Sequence, residues 1–313
     1  MDRVRIVRLA HMVYAHRDLE TITKFLKDFG FELEHETDDA IYLRGYGEQP
    51  YLYVVRKTEG EPTFLGGCWL VESHADLERA AKIPGATAIT PVDAPGGGEE
   101  VVVHDPNGFP LRLIHGQQMR TPEPHASAQL VNHEGSKPRA GEFVRFPGPR
   151  PAKIHKLGHY GFGCRDFDET LRWHTTHFNF YPTDILQTDE KKNVGAFLRL
   201  ARGDEYVDHH ALFFTMMPNP HIHHCSFEIH DTDMQMLSHK FLAKQGYELA
   251  WGVGRHILGS QIFDYWYDPA SRFMIEHYCD GDILNESTPT TYCPAKDETL
   301  AVWGPDVPAT FLD

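Results

Sequence analysis

The chain has 313 residues, enough for about two domains, and its 41% apolar and 12% aromatic content can fill a core. Lys and Arg number 30 against 45 Asp and Glu, a net charge of −15, which argues against a nucleic-acid partner and against an anionic membrane surface. No apolar run approaches the roughly 18–20 residues of a membrane span, and no apolar signal segment follows Met1-Asp2-Arg3-Val4-Arg5. The five cysteines (68, 164, 225, 279 and 293) have no regular spacing, so a cytoplasmic protein with reduced thiols is expected.

Taken in chain order, Arg8-Leu9-Ala10-His11-Met12-Val13-Tyr14 reads as a strand. Asp18 then precedes Leu19, Ile22, Leu26 and Phe29 at helical spacing, with Gly30 as the stop. Leu65-Gly66-Gly67-Cys68-Trp69 is a second strand, followed by a helix-like stretch from Asp76 to Ala81. Val101-Val102-Val103 and Leu111-Arg112-Leu113 form a strand–turn–strand around Asp105-Pro106. Gln117 to Lys153, with prolines at 122, 124, 138, 147, 149 and 151, predicts a linker or an extended crossing segment.

The series then repeats. Lys156-Leu157-Gly158-His159-Tyr160-Gly161-Phe162 echoes the first strand, and Asp166-Phe167-Asp168-Glu169 resembles a capping box leading into Leu171 and Phe178. Ile222-His223-His224-Cys225-Ser226 matches Leu65–Trp69, Thr232 to Lys244 reads as helix, and Phe263 to His277 turns at Asp268-Pro269. The tail from Asn285 reads as irregular, with Leu300, Val302, Trp303, Phe311 and Leu312 packing back on the body. The expected fold is α+β, built from two tandem modules, each a pair of βαβββ units closing into a curved mixed sheet with a ligand pocket on its concave face. The boundaries are 1–120 for the first module, 121–153 for the linker, 154–284 for the second module and 285–313 for the tail.

The two copies differ where chemistry is expected. Histidine stands at 21, roughly twice ordinary usage. His159 corresponds to His11, His224 to Gly67, and Glu276 to Arg112 once one extra residue is allowed after Asp268-Pro269. Two imidazoles and a carboxylate from three strands form a facial triad suited to divalent iron with open positions. Arg112 would repel a cation, so the first module is expected to hold no metal. Strand alternation predicts that His223 and Cys225 face away from His224, and that Ile222 shares its face. A zinc site using Cys225 and Cys279 is the competing metal reading, and Glu286 the poorer candidate carboxylate.

These residues resemble the two-domain type I extradiol ring-cleavage dioxygenases of the vicinal-oxygen-chelate superfamily, over nearly the whole chain and most strongly from His155 to Asp282. The likeness lies in Gly158-His159-Tyr160, His223-His224-Cys225-Ser226-Phe227 and Met274-Ile275-Glu276, and it implies that His159, His224 and Glu276 are the metal ligands. Gly254-Arg255-His256 resembles the element whose His lies near the substrate hydroxyl. Tyr265 falls where the family hydrogen-bonds the bound diol, and His210 in His209-His210-Ala211-Leu212-Phe213 matches its acid/base His. The turn Asp268-Pro269-Ala270-Ser271-Arg272 departs from the family by lacking its usual Gly and by one added residue. Trp303-Gly304-Pro305 and Phe311-Leu312 resemble the tail of the trihydroxytoluene oxygenase branch.

The resemblance implies Fe(II), or Mn(II), with O2 as co-substrate and a small aromatic diol as substrate, His210, His256 and Tyr265 managing protons. His256, Tyr265, Phe213 and Trp251 are the expected substrate contacts, and Phe197, Phe263 and Trp266 are further candidates for the pocket wall. A homo-oligomer is expected. Two other functions are consistent with the same scaffold: a metal-dependent isomerase, epimerase or thiol transferase, and a non-enzymatic binder of small aromatics.

Overall fold

The computed structural model describes residues 2–125 and 130–311, so Leu312 of the predicted tail packing lies outside the described residues. The first half contains β1 (Ile6–His16), α1 (Leu19–Phe29), β2 (Glu32–Glu36), β3 (Ala40–Arg44), β4 (Tyr53–Lys57), β5 (Thr63–Val71), α2 (His74–Ala80), β6 (Thr90–Pro91), β7 (Glu99–His104) and β8 (Pro110–His115). The second contains β9 (Ile154–Cys164), α3 (Phe167–His177), β10 (Phe180–Gln187), β11 (Asn193–Leu200), β12 (Val207–Asp208), β13 (Leu212–Met216), β14 (Ile222–Ile229), α4 (Thr232–Gln245), β15 (Leu249–His256), β16 (Ile262–Tyr267) and β17 (Met274–Cys279). The remaining strands are β18 (Ile283–Leu284), β19 (Thr291–Pro294) and β20 (Ala301–Trp303). Among the described residues, no helix is long and apolar enough to cross a membrane.

The helices begin and end where their sequence signals lie. Asp18 caps α1 by accepting from the Thr21 amide at 2.9 Å, and Gly30 stops it at φ 126°, a conformation that disfavours any residue with a Cβ. Asp166 caps α3 through the Glu169 amide at 2.8 Å, and Asp231 caps α4 through Met234 at 2.7 Å.

Each half folds into a mixed sheet of two βαβββ units. The first runs β2-β3-β4-β1-β5-β8-β7-β6, and the second keeps that plan as β10-β11-β13-β9-β14-β17-β16-β15. In both, the first strands of the two units pair antiparallel at the centre, and each pairs in parallel with the last strand of its own unit. The tail adds a strand to each edge of the second sheet: β19 runs parallel to β10, and β20 antiparallel to β15. It is therefore more regular than its Thr/Pro-rich composition suggests, because open sheet edges supply backbone partners that composition does not reveal.

One hydrophobic core runs through both halves. Trp69 packs against Tyr160 and Phe180 with ring centroids 5.7 and 5.1 Å away, and Phe31 meets Phe227 edge-on at 4.8 Å. Asn179 bonds both the amide and the carbonyl of Ile6, at 2.8 and 3.0 Å. These contacts fix the second sheet against the first and leave its concave face for a cavity.

Candidate metal centre

Strand register puts three polar side chains on neighbouring central strands. His159 of β9 pairs with Ser226 of β14, and Ser226 pairs in turn with Glu276 of β17. His224, two residues before Ser226, projects into the same space. His159 Nε2 lies 3.1 Å from His224 Nε2 and 3.3 Å from Glu276 Oε2, and His224 Nε2 lies 3.8 Å from that oxygen. A single point inside this triangle is about 2.0 Å from all three atoms, the length of a metal–nitrogen or metal–oxygen bond. The three form the cluster of candidate metal-holding groups found among the described residues.

Burial sharpens this geometry. Glu276 is 0% exposed, and among the described residues neither of its oxygens has a hydrogen-bond partner. A buried carboxylate without a donor costs several kcal/mol, so this group calls for a cation. Burial, reinforced by the neighbouring His223 and His159, holds the His224 imidazole well below its ordinary pKa, so it is neutral and its lone pair is free to ligate. Gly161 supplies the room: a Cβ there would lie 2.8 Å from Phe213 Cδ1 and 2.9 Å from His224 Cε1.

The register corrects the sequence reading at two points. Gly66, not Gly67, occupies the position of His224, because Gly66 pairs with Val13 of β1 as His224 pairs with Gly161 of β9. His223 also lines the cavity rather than facing away. Between Ile222 and His224, β14 advances two residues while β9 advances one, a bulge that defeats simple alternation. The His223 Nδ1 lies 2.7 Å from His224 Nδ1, and its Nε2 donates to the Phe311 carbonyl at 2.5 Å. With Phe311 accepting, His223 presents a bare Nδ1 to the His224 Nδ1–H, which leaves His224 Nε2 unprotonated toward the centre.

The cavity encloses about 550 Å³ including its mouth. His210, His256 and Tyr265 line it, as do Phe197 and Phe213, whose rings stack at 4.5 Å. His256 donates from Nδ1 to the Leu300 carbonyl at 2.8 Å and accepts at Nε2 from the Tyr265 hydroxyl at 2.9 Å. Burial and the Glu276 charge raise the Tyr265 phenol well above its ordinary pKa, so it stays a donor. Burial and the surrounding histidines, His159 first, push His210 well below its ordinary pKa.

Three expected wall residues lie elsewhere. Trp251 stands behind Tyr265, and its indole N–H donates to the Pro305 carbonyl at 3.0 Å, a partner supplied by the tail. Phe263 stacks on the far side of His256 at 4.2 Å, and Trp266 belongs to the main core. The tail fills the positions they leave: Thr299, Leu300 and Phe311 line the cavity with Leu258 and Gln261. The apolar tail residues were the available signal for Phe311 and Leu300, whereas Val302 and Trp303 are exposed. Nothing local marks Leu258 or Gln261.

The competing ligands are dispersed. Cys225 faces Tyr14 in the core, Cys279 donates to Gln235 at 2.9 Å, and Glu286 accepts from the Gly203 amide at 2.9 Å.

No family model matches the chain. It is 34% identical over 299 residues to metapyrocatechase 2 of Cupriavidus necator, covering 94% of this chain and 88% of that protein. Its fold matches homoprotocatechuate 2,3-dioxygenase of Arthrobacter globiformis with a TM-score of 0.79 at 20% identity, over 100% of this chain and 92% of the other. It also matches the Mn(II)-bound glyoxalase of Novosphingobium aromaticivorans with a TM-score of 0.79 at 17% identity, over 99% and 95% of the two chains.

Proposed function

This chain belongs to the extradiol ring-cleaving dioxygenases of the vicinal-oxygen-chelate superfamily, and on that premise we propose that it opens a catechol-type ring at a metal held by His159, His224 and Glu276. The observation that carries the assignment of the centre is the buried Glu276 carboxylate, unpartnered among the described residues and within metal-sharing distance of two imidazoles. We take the metal to be Fe(II), with Mn(II) the alternative and O2 the co-substrate. When bound, it would act as Lewis acid and template for the diol and O2. The division of labour follows the sheets: a first module (1–120) without metal, a linker (121–153), a catalytic module (154–284) and a closing tail (285–313).

The surrounding side chains have separable tasks. Phe197 and Phe213 offer a flat apolar wall for an aromatic ring and keep water from the reacting atoms. Tyr265 donates to His256, so its oxygen keeps lone pairs for a substrate hydroxyl. His210, neutral and buried, takes the proton of a diol hydroxyl and returns it later in the cycle. The product is a ring-opened semialdehyde-type acid. Among the described residues, no Lys or Arg lines the cavity, which favours diols with uncharged substituents over those bearing a carboxylate. A cytoplasmic homo-oligomer completes the proposal.

The test is anaerobic purification, metal analysis and oxygen uptake on addition of a catechol. Bound iron with one O2 consumed per diol and a visible-absorbing product is the expected result. Metal without oxygen uptake across catechols would point to isomerase-type chemistry, and ligand binding without metal to a carrier. Either result overturns the proposal.

A further inference from the structure

Behind His210, on the side away from the cavity, stands a buried pair that the proposed chemistry has not used. His209 Nδ1 lies 3.0 Å from His210 Nδ1, and His209 Nε2 lies 2.8 Å from Asp184 Oδ2. All three side chains are buried, Asp184 at 4%, His209 at 5% and His210 at 4% exposure. Their placement is tightly built. The Thr183 hydroxyl donates to the His209 carbonyl at 2.8 Å, and the His209 amide donates to the Asp282 carbonyl at 2.9 Å. A register shift between Pro182 and Asp184 turns Asp184 toward His209, and Thr291 of β19 donates to its other oxygen.

The hydrogen bonds impose an order on the protons. Burial opposes the charge on Asp184, but the bonds from His209 and Thr291 outweigh it and hold the carboxyl below its ordinary pKa. An ionised carboxylate only accepts, so the His209 proton sits on Nε2. The Nδ1 of a neutral His209 is then a bare acceptor, and the contact at 3.0 Å requires His210 to carry its proton on Nδ1. The nitrogen left for the cavity, His210 Nε2, is a lone pair. Were Asp184 a donor, each proton would shift by one site, and His210 would meet the substrate with an N–H.

We infer that Asp184 and His209 are positioning residues that fix the tautomer of His210, so that its Nε2 faces the cavity as a proton acceptor. Their use in turnover rests on the dioxygenase reading above, but the tautomer itself does not. When a diol hydroxyl gives its proton to His210 Nε2, the His210 Nδ1 proton can pass to His209 Nδ1. The positive charge then comes to rest beside the Asp184 carboxylate, one ring further from the metal centre. No proton leaves the row and no other reactant is needed.

The test is Asp184→Asn. Its amide oxygen can keep the Thr291 bond while its NH2 faces His209 and reverses the row, as a neutral amide does behind a catalytic histidine elsewhere. Two measurements are paired. Nitrogen NMR of the full-length, metal-free chain labelled at histidine should show His210 Nε2 unprotonated in the wild type and protonated in Asp184→Asn. Steady-state assay of the iron-loaded proteins should show kcat down about 10²-fold or more with KM and iron content held. Thr291→Val, which removes the other partner of Asp184 without reversing the row, should keep the wild-type His210 signal. A protonated Nε2 in the wild type overturns the inference, as does an unchanged signal in Asp184→Asn. Equal loss of kcat, KM and iron would mean that the pair only supports the fold, and this also overturns it. A wild type that takes up no oxygen would refute the dioxygenase reading, while the NMR arm still decides the tautomer.

Discussion

In the first sheet Arg112 reaches over Gly66 to the Glu100 carboxylate and closes the position with an ion pair. In the second, Glu276 ends with both oxygens unpartnered among the described residues, beside two imidazoles. The frameworks are alike: His11 pairs with Cys68 and Cys68 with Arg112, as His159 pairs with Ser226 and Ser226 with Glu276. What separates them is which charges meet inside. A Cβ at Gly66 would lie 2.9 Å from Arg112 Cγ, so the guanidinium chain occupies the space that an imidazole fills in the other half. Burial, followed by Arg112 and Arg56, lowers the His11 pKa to about 3, so His11 stays neutral without a ligand's role. One half answers its Glu100 carboxylate with a guanidinium from the neighbouring strand, and the other leaves Glu276 without such a partner among the described residues.

Breaking the second half should have the largest effect. His224→Ala or Glu276→Ala is expected to abolish metal retention and oxygen uptake together, as read by metal analysis of the purified protein. Glu276→Met should also make the metal-free chain more stable by about 1–3 kcal/mol in urea unfolding, because it removes an uncompensated buried charge. A metal-free Glu276→Met chain less stable than wild type would show that the carboxylate is already satisfied.

His210→Ala comes next. Turnover should fall about 10²- to 10⁴-fold while iron content holds, which separates a proton-handling group from a ligand. Loss of iron in this variant would move His210 into the ligand set.

The third test uses the first half. The folded pKa of His11, about 3, lies below the 6.5 of an unfolded chain, so its stabilising contribution is complete above pH 6.5 and is lost as pH falls toward 3. His11→Phe should therefore flatten the acid limb of a stability–pH curve by about 1.4 kcal/mol per pH unit in that window. An unchanged slope would mean that His11 already titrates normally.

The smallest change is expected from Arg112→Met. The Glu100 pair is partly exposed, with side-chain exposures of 25% and 18%, so its loss should cost about 1 kcal/mol or less and leave metal content and turnover alone. A large loss of turnover would show that the two halves are energetically coupled through their shared core.

Much of the fold was legible because its signals are local or repeated. Asp18, Gly30 and Asp166 mark helix ends by their own chemistry, and the duplicated Asp-Pro turns align the halves. No local spacing marks His159, His224 and Glu276, since 65 and 52 residues separate them, and they were singled out by comparing the copies and by the family resemblance. Alternation failed at His223 because a bulge inserts a residue without any sequence mark, and the Gly67 assignment slipped by one at the same place. Asp184 was invisible as a site residue, and Phe311 was legible as tail packing but not as the acceptor behind His223. Their partners lie 25 and 88 positions away, and nothing in a single strand or tail announces such long closures.

The tail's bond from the Phe311 carbonyl to His223 also sets an order in time. Phe311 follows His159, His224 and Glu276 in the chain, so the ring behind His224 is secured by a segment translated after all three. β20 pairs with β15, and Thr299, Leu300 and Phe311 around it line one side of the cavity, so that wall is completed by residues far along the chain from the rings it faces.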